Sequence, residues 1–145
     1  MAGIRGNRVI NGSKGQLWKD GSLWAEVIKV ELKAKINRDK VMFAGSIDED
    51  SKVTTISCDG SFTINKVYTR ESEFIEAMQD GTDDRFQLFI TLDDPDAYGR
   101  ESVKMENCWF NEITVAQFEA GKVLEREFPF GCTFTDISYP ETISL

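Results

Sequence analysis

The stretch LDDPDAYGRE, residues 92–101, places four carboxylates, Asp93, Asp94, Asp96 and Glu101, within ten positions. Carboxylates this dense can ligate a hard cation or divide into an acid and a base. Taken as a calcium loop starting at Asp94, the segment puts Asp96 at the third position and Gly99 at the sixth, as such a loop requires. It then fails. Tyr98 takes the fifth position, where an oxygen side chain is expected, and Met105 takes the twelfth, where a bidentate Glu must stand. Asp-Pro and Tyr-Gly are turn dipeptides, and the residues on either side alternate as strands do. A connector between two strands accounts for the cluster, and no metal or catalytic role is assigned to it.

Other chemistry is scarcer still. The sequence holds no histidine, which removes the commonest general base and zinc ligand and with it Ser-His-Asp and Cys-His catalysis. Neither GxGxxG nor GxxxxGK[ST] occurs. Cys58, Cys108 and Cys132 are odd in number, far apart and without a CxxC, so reduced thiols are expected. No catalytic residue, metal or cofactor is expected.

At 145 residues the sequence has the size of one domain, here 1–145, with residues 1–14 as a Gly-rich, basic, flexible arm. The arm lacks the apolar core of a signal peptide, and no apolar run approaches a membrane span. The net charge of −8 disfavours tight non-specific binding to nucleic acid.

The elements that position these residues are mostly strands. In GQLWKDGSLWAEV (15–27), Asp20-Gly21 is a two-residue type I′ hairpin signal. It sets Lys19 opposite Ser22, Trp18 opposite Leu23 and Leu17 opposite Trp24. Both faces of the hairpin are then apolar. One enters the core, and the other, with Trp18, Leu23 and Val27, needs a second cover such as another subunit. Period-2 alternation continues through Ile28, Val30, Leu32, Ala34 and Ile36, with Lys29, Glu31, Lys33 and Lys35 between them. A short strand, VMFAG, and a polar loop over 45–52 follow, with Asp48, Glu49 and Asp50 as an acidic tip and a candidate contact. A second long strand over 52–68 carries Ile56, Cys58, Phe62, Ile64 and Tyr68 on one face. Thr55, Ser57, Asp59, Ser61, Thr63 and Asn65 lie on the other. Gly60 marks a bulge or bend.

Residues 71–80 form an amphipathic helix, with Phe74, Ile75 and Met78 on one face and Gly81 as its stop. Strands return at 85–92, 102–110 and 123–137, the last aligning Leu124, Phe128, Phe130, Cys132 and Phe134 while Pro129 implies an edge or bulge. Residues 114–121 are open between a helical turn and a loop. The fold class is mainly β: an antiparallel β-sandwich or β-barrel with one flanking α-helix.

Six phrases carry a family resemblance. GQLWKDGSLWAEV, AKINRDKVMFAG, the long strand ending GSFTINKVYTR, LDDPDAYGRESV, CWFNEITVAQFEAGKV and FPFGCTFTDI occur in this order over most of the sequence. Together they resemble the tail tube proteins of phages and of phage-like particles of the PBSX type, whose fold is shared with the ring protein of type VI secretion. The resemblance does not call for Cys58 or Cys132. It implies a structural virion protein of the tail, assembled in the bacterial host cytoplasm. It implies homo-hexameric rings stacked into a hollow tube through which DNA passes as non-specific cargo. Tail sheath, tape-measure, baseplate and tail terminator proteins are the implied partners, and no membrane is involved. Thr55, Ser57, Asp59, Ser61, Thr63 and Asn65 would face the lumen, and the loop 45–52 and the N-terminal arm are expected at ring-to-ring contacts. A type VI-like or bacteriocin tube ring is the nearest alternative, and a monomeric ligand-binding β-barrel is the alternative from another class.

Overall fold

A computed structural model describes residues 3–144. Among them, eight strands and one α-helix follow in order: β1 (Gly15–Lys19), β2 (Ser22–Leu23), β3 (Val27–Met42), β4 (Glu49–Asn65), α1 (Ser72–Gln79), β5 (Phe86–Leu92), β6 (Glu101–Phe110), β7 (Glu125–Cys132) and β8 (Ile137–Glu141). All strand pairs are antiparallel, in the order β2-β1-β5-β6-β7-β4-β3, with β8 added on β6. The sheet turns a corner at β6. Its first part pairs with β5 and β8, whereas Trp109 and Phe110 pair with β7. Asn107 stands at this corner with φ 54°, beside a register shift between Phe86 and Leu88. Asparagine tolerates that left-handed backbone, and a bulge is how a strand bends. The sheet therefore folds over itself into two layers.

The first hairpin has the register its turn dictates. Trp18 pairs with Leu23, Lys19 with Ser22, and the Trp24 N–H donates to the Leu17 carbonyl at 2.9 Å. Asp20 (φ 48°) and Gly21 (φ 83°) supply the two left-handed residues that a type I′ turn needs. Leu17 and Trp24 enter the core. Trp24, Phe62, Phe128 and Phe130 pack there, with Phe62 stacked on Phe128 at 5.1 Å and Trp24 edge-on to Phe62 at 5.5 Å. Phe74 of α1 joins edge-on to Phe110 at 4.6 Å. The helix stops in a Schellman motif: Gly81 N–H donates to the Met78 carbonyl and Thr82 N–H to that of Ala77.

Four expectations are corrected. VMFAG is not a separate strand, because β3 runs unbroken to Met42 and pairs with β4 from its first residue. The polar loop over 45–52 is accordingly shorter, and Glu49 and Asp50 lie in β4 opposite Met42 and Val41. Pro129 is not on a fully free strand. β7 pairs with β4 along its length, and its pairing with β6 begins at the next residue, Phe130. On that side the Pro129 carbonyl accepts the Asn111 N–H at 2.9 Å, and the missing proline N–H ends the ladder there. Residues 111–120 are irregular, without helix.

Gly60 makes a close approach, not a bulge. The register shifts in β3–β4 lie at Val27/Lys29 and Asn37/Arg38 instead. A Cβ at Gly60 would stand 2.1 Å from the Glu31 carbonyl oxygen and 2.8 Å from the Leu32 Cα, both backbone atoms of β3. Neither can move without breaking the ladder. Gly60→Ala is expected to destabilise the fold by about 3 kcal/mol, measured by urea unfolding. A change within experimental error would contradict the close packing of β3 on β4 at this point.

Candidate functional site

The carboxylates of 92–101 do not converge. Asp94 is buried and turns inward: Oδ1 accepts the Asp96 N–H at 3.0 Å and Oδ2 accepts the Asn11 N–H at 3.0 Å. Those two backbone donors hold its carboxyl below the usual Asp range, against the upward push of burial. Asp93 and Asp96 point to solvent. No group of three or more His, Cys, Asp or Glu is arranged to hold a metal among the described residues. Asp94 clamps the N-terminal segment to the connector instead. That segment forms short 3-10 turns at Gly6–Arg8 and Gly12–Lys14, and Arg8 donates to the Asp96 carbonyl and lies over the Tyr98 ring.

The three cysteines, distant in sequence, meet in space. Cys58 pairs in register with Cys132, and Cys108 of β6 joins them from the adjoining strand. All are buried and free. Burial pushes Cys108 up to about 11 and Cys132 up to about 12, and it raises Cys58 as well. At neutral pH these are protonated thiols that behave as small apolar fillers.

Near the root of β3, Glu26 and Arg70 form a two-pronged ion pair at 2.7 and 3.3 Å, with Arg70 stacked between the rings of Trp24 and Tyr68. Burial pushes the Glu26 carboxyl up, but the bonds from Arg70 and the backbone outweigh it and hold it below its usual range. Buried Glu71 pairs with Lys66, and buried Arg126 donates to the Gln117 carbonyl at 2.8 Å, tying down the irregular segment before β7. The sequence carried no signal for these pairs.

The remaining candidates are arranged around the β3–β4 ribbon. Leu23 is exposed, while Trp18 and Val27 are half-buried; the indole N–H of Trp18 is inaccessible and without a hydrogen-bond partner. Asp48, Glu49 and Asp50 sit at the ribbon's tip, where Glu49 pairs with Lys40 at 3.1 Å. Thr55, Ser57, Asp59, Ser61, Thr63 and Asn65 share one face of β4. Across from them on β3 stand Asn37, Lys35, Lys33, Glu31 and Lys29, and on β7 Glu127 and Glu125. The opposite face buries Cys58, Phe62 and Ile64. Sequence alternation extends that apolar face outward to Ile36 and Ile56, which pair with each other in the ladder. Past Ala34 and Cys58, however, no other element covers them among the described residues, and they are 49% and 36% exposed. The ribbon therefore projects from the sandwich with an uncovered apolar stripe.

Solved tube and terminator structures share this two-layer antiparallel sandwich. The sheath/tube terminator of an extracellular contractile injection system (PVC, extended state) aligns with TM-score 0.75 at 10% identity, over 92% of this chain and 97% of that one. The tube-terminating cap of the anti-feeding prophage aligns at 0.68 and 11% identity, over 97% of each chain. Hcp1 from Flavobacterium johnsoniae aligns at 0.55 and 13%, over 88% of this chain and 95% of that one. No curated protein sequence matches. The family described as "Phage tail tube protein" matches residues 2–141, and the chain belongs to that family. It is a structural tail tube protein, not an enzyme.

The Asp94 clamp has a pH signature. Its folded value is depressed, so its contribution is complete above the ordinary Asp value and is lost as pH falls through the lower folded one. Hydrogen exchange at the Asn11 and Asp96 amides is expected to accelerate below about pH 4 relative to core amides, after correction for intrinsic rates. Unchanged protection ratios at lower pH would contradict the clamp.

Proposed function

We propose that this chain is the repeating subunit of a tail's inner tube, six copies closing into a ring and rings stacking into a hollow conduit for DNA. The observation that carries the reading is the β3–β4 ribbon. It is polar on one face, apolar on the other, and longer than its own domain can cover. β3 also ends the sheet order, so one edge of a sixteen-residue strand is left unpaired among the described residues. A long free edge invites pairing with another chain, and closure into a barrel removes it. A neighbouring copy that covers Ile36, Val53 and Ile56 satisfies both demands at once.

In this arrangement the whole of 1–145 acts as one tail tube domain. The stripe Thr55, Ser57, Asp59, Ser61, Thr63 and Asn65 lines the lumen. The same face holds Lys29, Lys33 and Lys35 beside Glu31, Glu125 and Glu127, so the wall is mixed in sign. Such a wall offers no continuous basic track to phosphate and lets DNA pass without being held. Trp18, Leu23 and Val27 lie near the ribbon's root and adjoin a neighbour in the ring. Sheath, tape-measure, baseplate and terminator proteins are the other contacts, in the virion tail.

Negative-stain electron microscopy over a concentration series tests the reading. Wild-type chain is expected to give six-fold rings or tubes. Ile36→Glu is expected to abolish them while leaving the unfolding midpoint of the subunit nearly unchanged, since the side chain is largely exposed in the single chain. Monomers that stay monomeric with baseplate or tube seeds added would overturn the proposal.

A further inference from the structure

All three cysteines of the chain stand in one row across the strand order β6-β7-β4. Cys132, the last residue of β7, is central. On one side it pairs in register with Cys58 of β4. On the other, β6 meets β7 through Trp109↔Gly131 and Phe110↔Phe130, and the next position along that register sets Cys108 opposite Cys132. Both flanking thiols lie near enough to that of Cys132 to disfavour its ionisation.

The two flanking thiols are not equivalent. Cys108 Sγ donates to the Met105 carbonyl at 3.6 Å, and the sheet turns its corner at the adjoining Asn107. Neither Cys58 nor Cys132 is tied to a backbone carbonyl in this way among the described residues. Directly paired residues of antiparallel strands have Cα atoms about 4.5–5.5 Å apart, and a disulfide spans about 4.4–6.8 Å. A bond between Cys58 and Cys132 therefore needs rotation of two side chains and no rearrangement of the strands.

The rung they occupy is also a particular one. It is the last that β7 shares with β4. Beyond it β4 keeps only β3, and Ile56, the next residue on the same face, is uncovered among the described residues. The pair marks the place where the ribbon leaves the sandwich. Terminal rungs fray, and fraying opens otherwise buried thiols to a small oxidant.

We propose that Cys58 and Cys132 form a redox-closed staple, which locks the root of the ribbon to β7 when the chain meets a peroxide. One thiol reacts with hydrogen peroxide to give a sulfenic acid and water. The second sulfur displaces the hydroxyl, forming the S–S bond and a second water. Two thiols are oxidised and one peroxide is reduced to two waters, while Cys108 stays a thiol. Burial keeps these sulfurs protonated at neutral pH, so closure is slow. The cross-link goes beyond the tube reading and does not depend on it, because both sulfurs belong to one chain. It closes the loop from 58 to 132, which holds α1, β5 and β6, and restricts the unfolded chain accordingly.

Thiol titration in denaturant after incubation with hydrogen peroxide tests it, together with peptide mapping without reductant. Wild-type chain is expected to lose two of its three thiols, to run as a single chain on a denaturing non-reducing gel, and to yield one linked peptide joining Cys58 to Cys132. Its urea midpoint is expected to rise on oxidation and to return after dithiothreitol. Cys108→Ser is expected to form the same link, whereas Cys58→Ser and Cys132→Ser keep both remaining thiols. The mapping on wild-type chain stands whether or not the serine variants fold. Three intact thiols, a link from Cys108 to Cys132, links between chains, or conversion to sulfinic acid without a cross-link would each overturn the staple.

Discussion

The antiparallel ladder between β3 and β4 is the constraint on which the rest of the structure depends. It joins fifteen residue pairs from Val27↔Ile64 to Met42↔Glu49, and its inner half forms one wall of the core. The chain has too few remaining elements to cover a ladder of that length. β7 accompanies β4 only as far as Cys58, and nothing accompanies β3 on its outer edge among the described residues. An isolated two-stranded hairpin is marginal in water. This one is anchored at its root by Phe62 and Ile64 and by the backbone contact at Gly60, and it leaves its outer half to be stabilised by a neighbour.

The polar interior reinforces that root. The Glu26–Arg70 and Lys66–Glu71 pairs and Arg126 all lie near the end of the ribbon away from its tip. Buried ion pairs add little net stability once desolvation is counted, but breaking one strands a charge in a low-dielectric site. Their geometric role is clear: they fix the segments entering α1 and β7 beside the root of the ribbon. Asp94 does similar work for the N-terminal segment, turning a cluster that looks like a metal loop into a backbone clamp.

Local signals were the legible ones. Asp20-Gly21 dictated the first hairpin and its register because a type I′ turn leaves no freedom. Phe74, Ile75 and Gly81 marked the helix and its end for equally local reasons. Period-2 alternation identified the wet and dry faces of β4, down to the polar stripe from Thr55 to Asn65. What alternation could not tell was how far another element covers the dry face. Ile36 and Ile56 read like Phe62, yet the difference between core and open stripe is set by where β7 ends. The division at VMFAG failed because the polar run Asn37-Arg38-Asp39-Lys40 interrupts the apolar alternation although β3 continues through it; the bulge there adds Thr54 to β4, not a residue to β3. The thiol cluster was hidden because Cys58, Cys108 and Cys132 are brought together only by the order β6-β7-β4.

The most direct measurement is amide hydrogen exchange along β3, compared between dissolved subunits and assembled tubes. In the free chain the outward N–H groups of residues 34–42 belong to an open edge and should exchange quickly. Covered by a neighbouring copy, the same amides, with those of 49–57, should slow by orders of magnitude while the core around Phe62 is unchanged. Equal exchange along β3 in both states would contradict the claim that a second copy completes the ribbon.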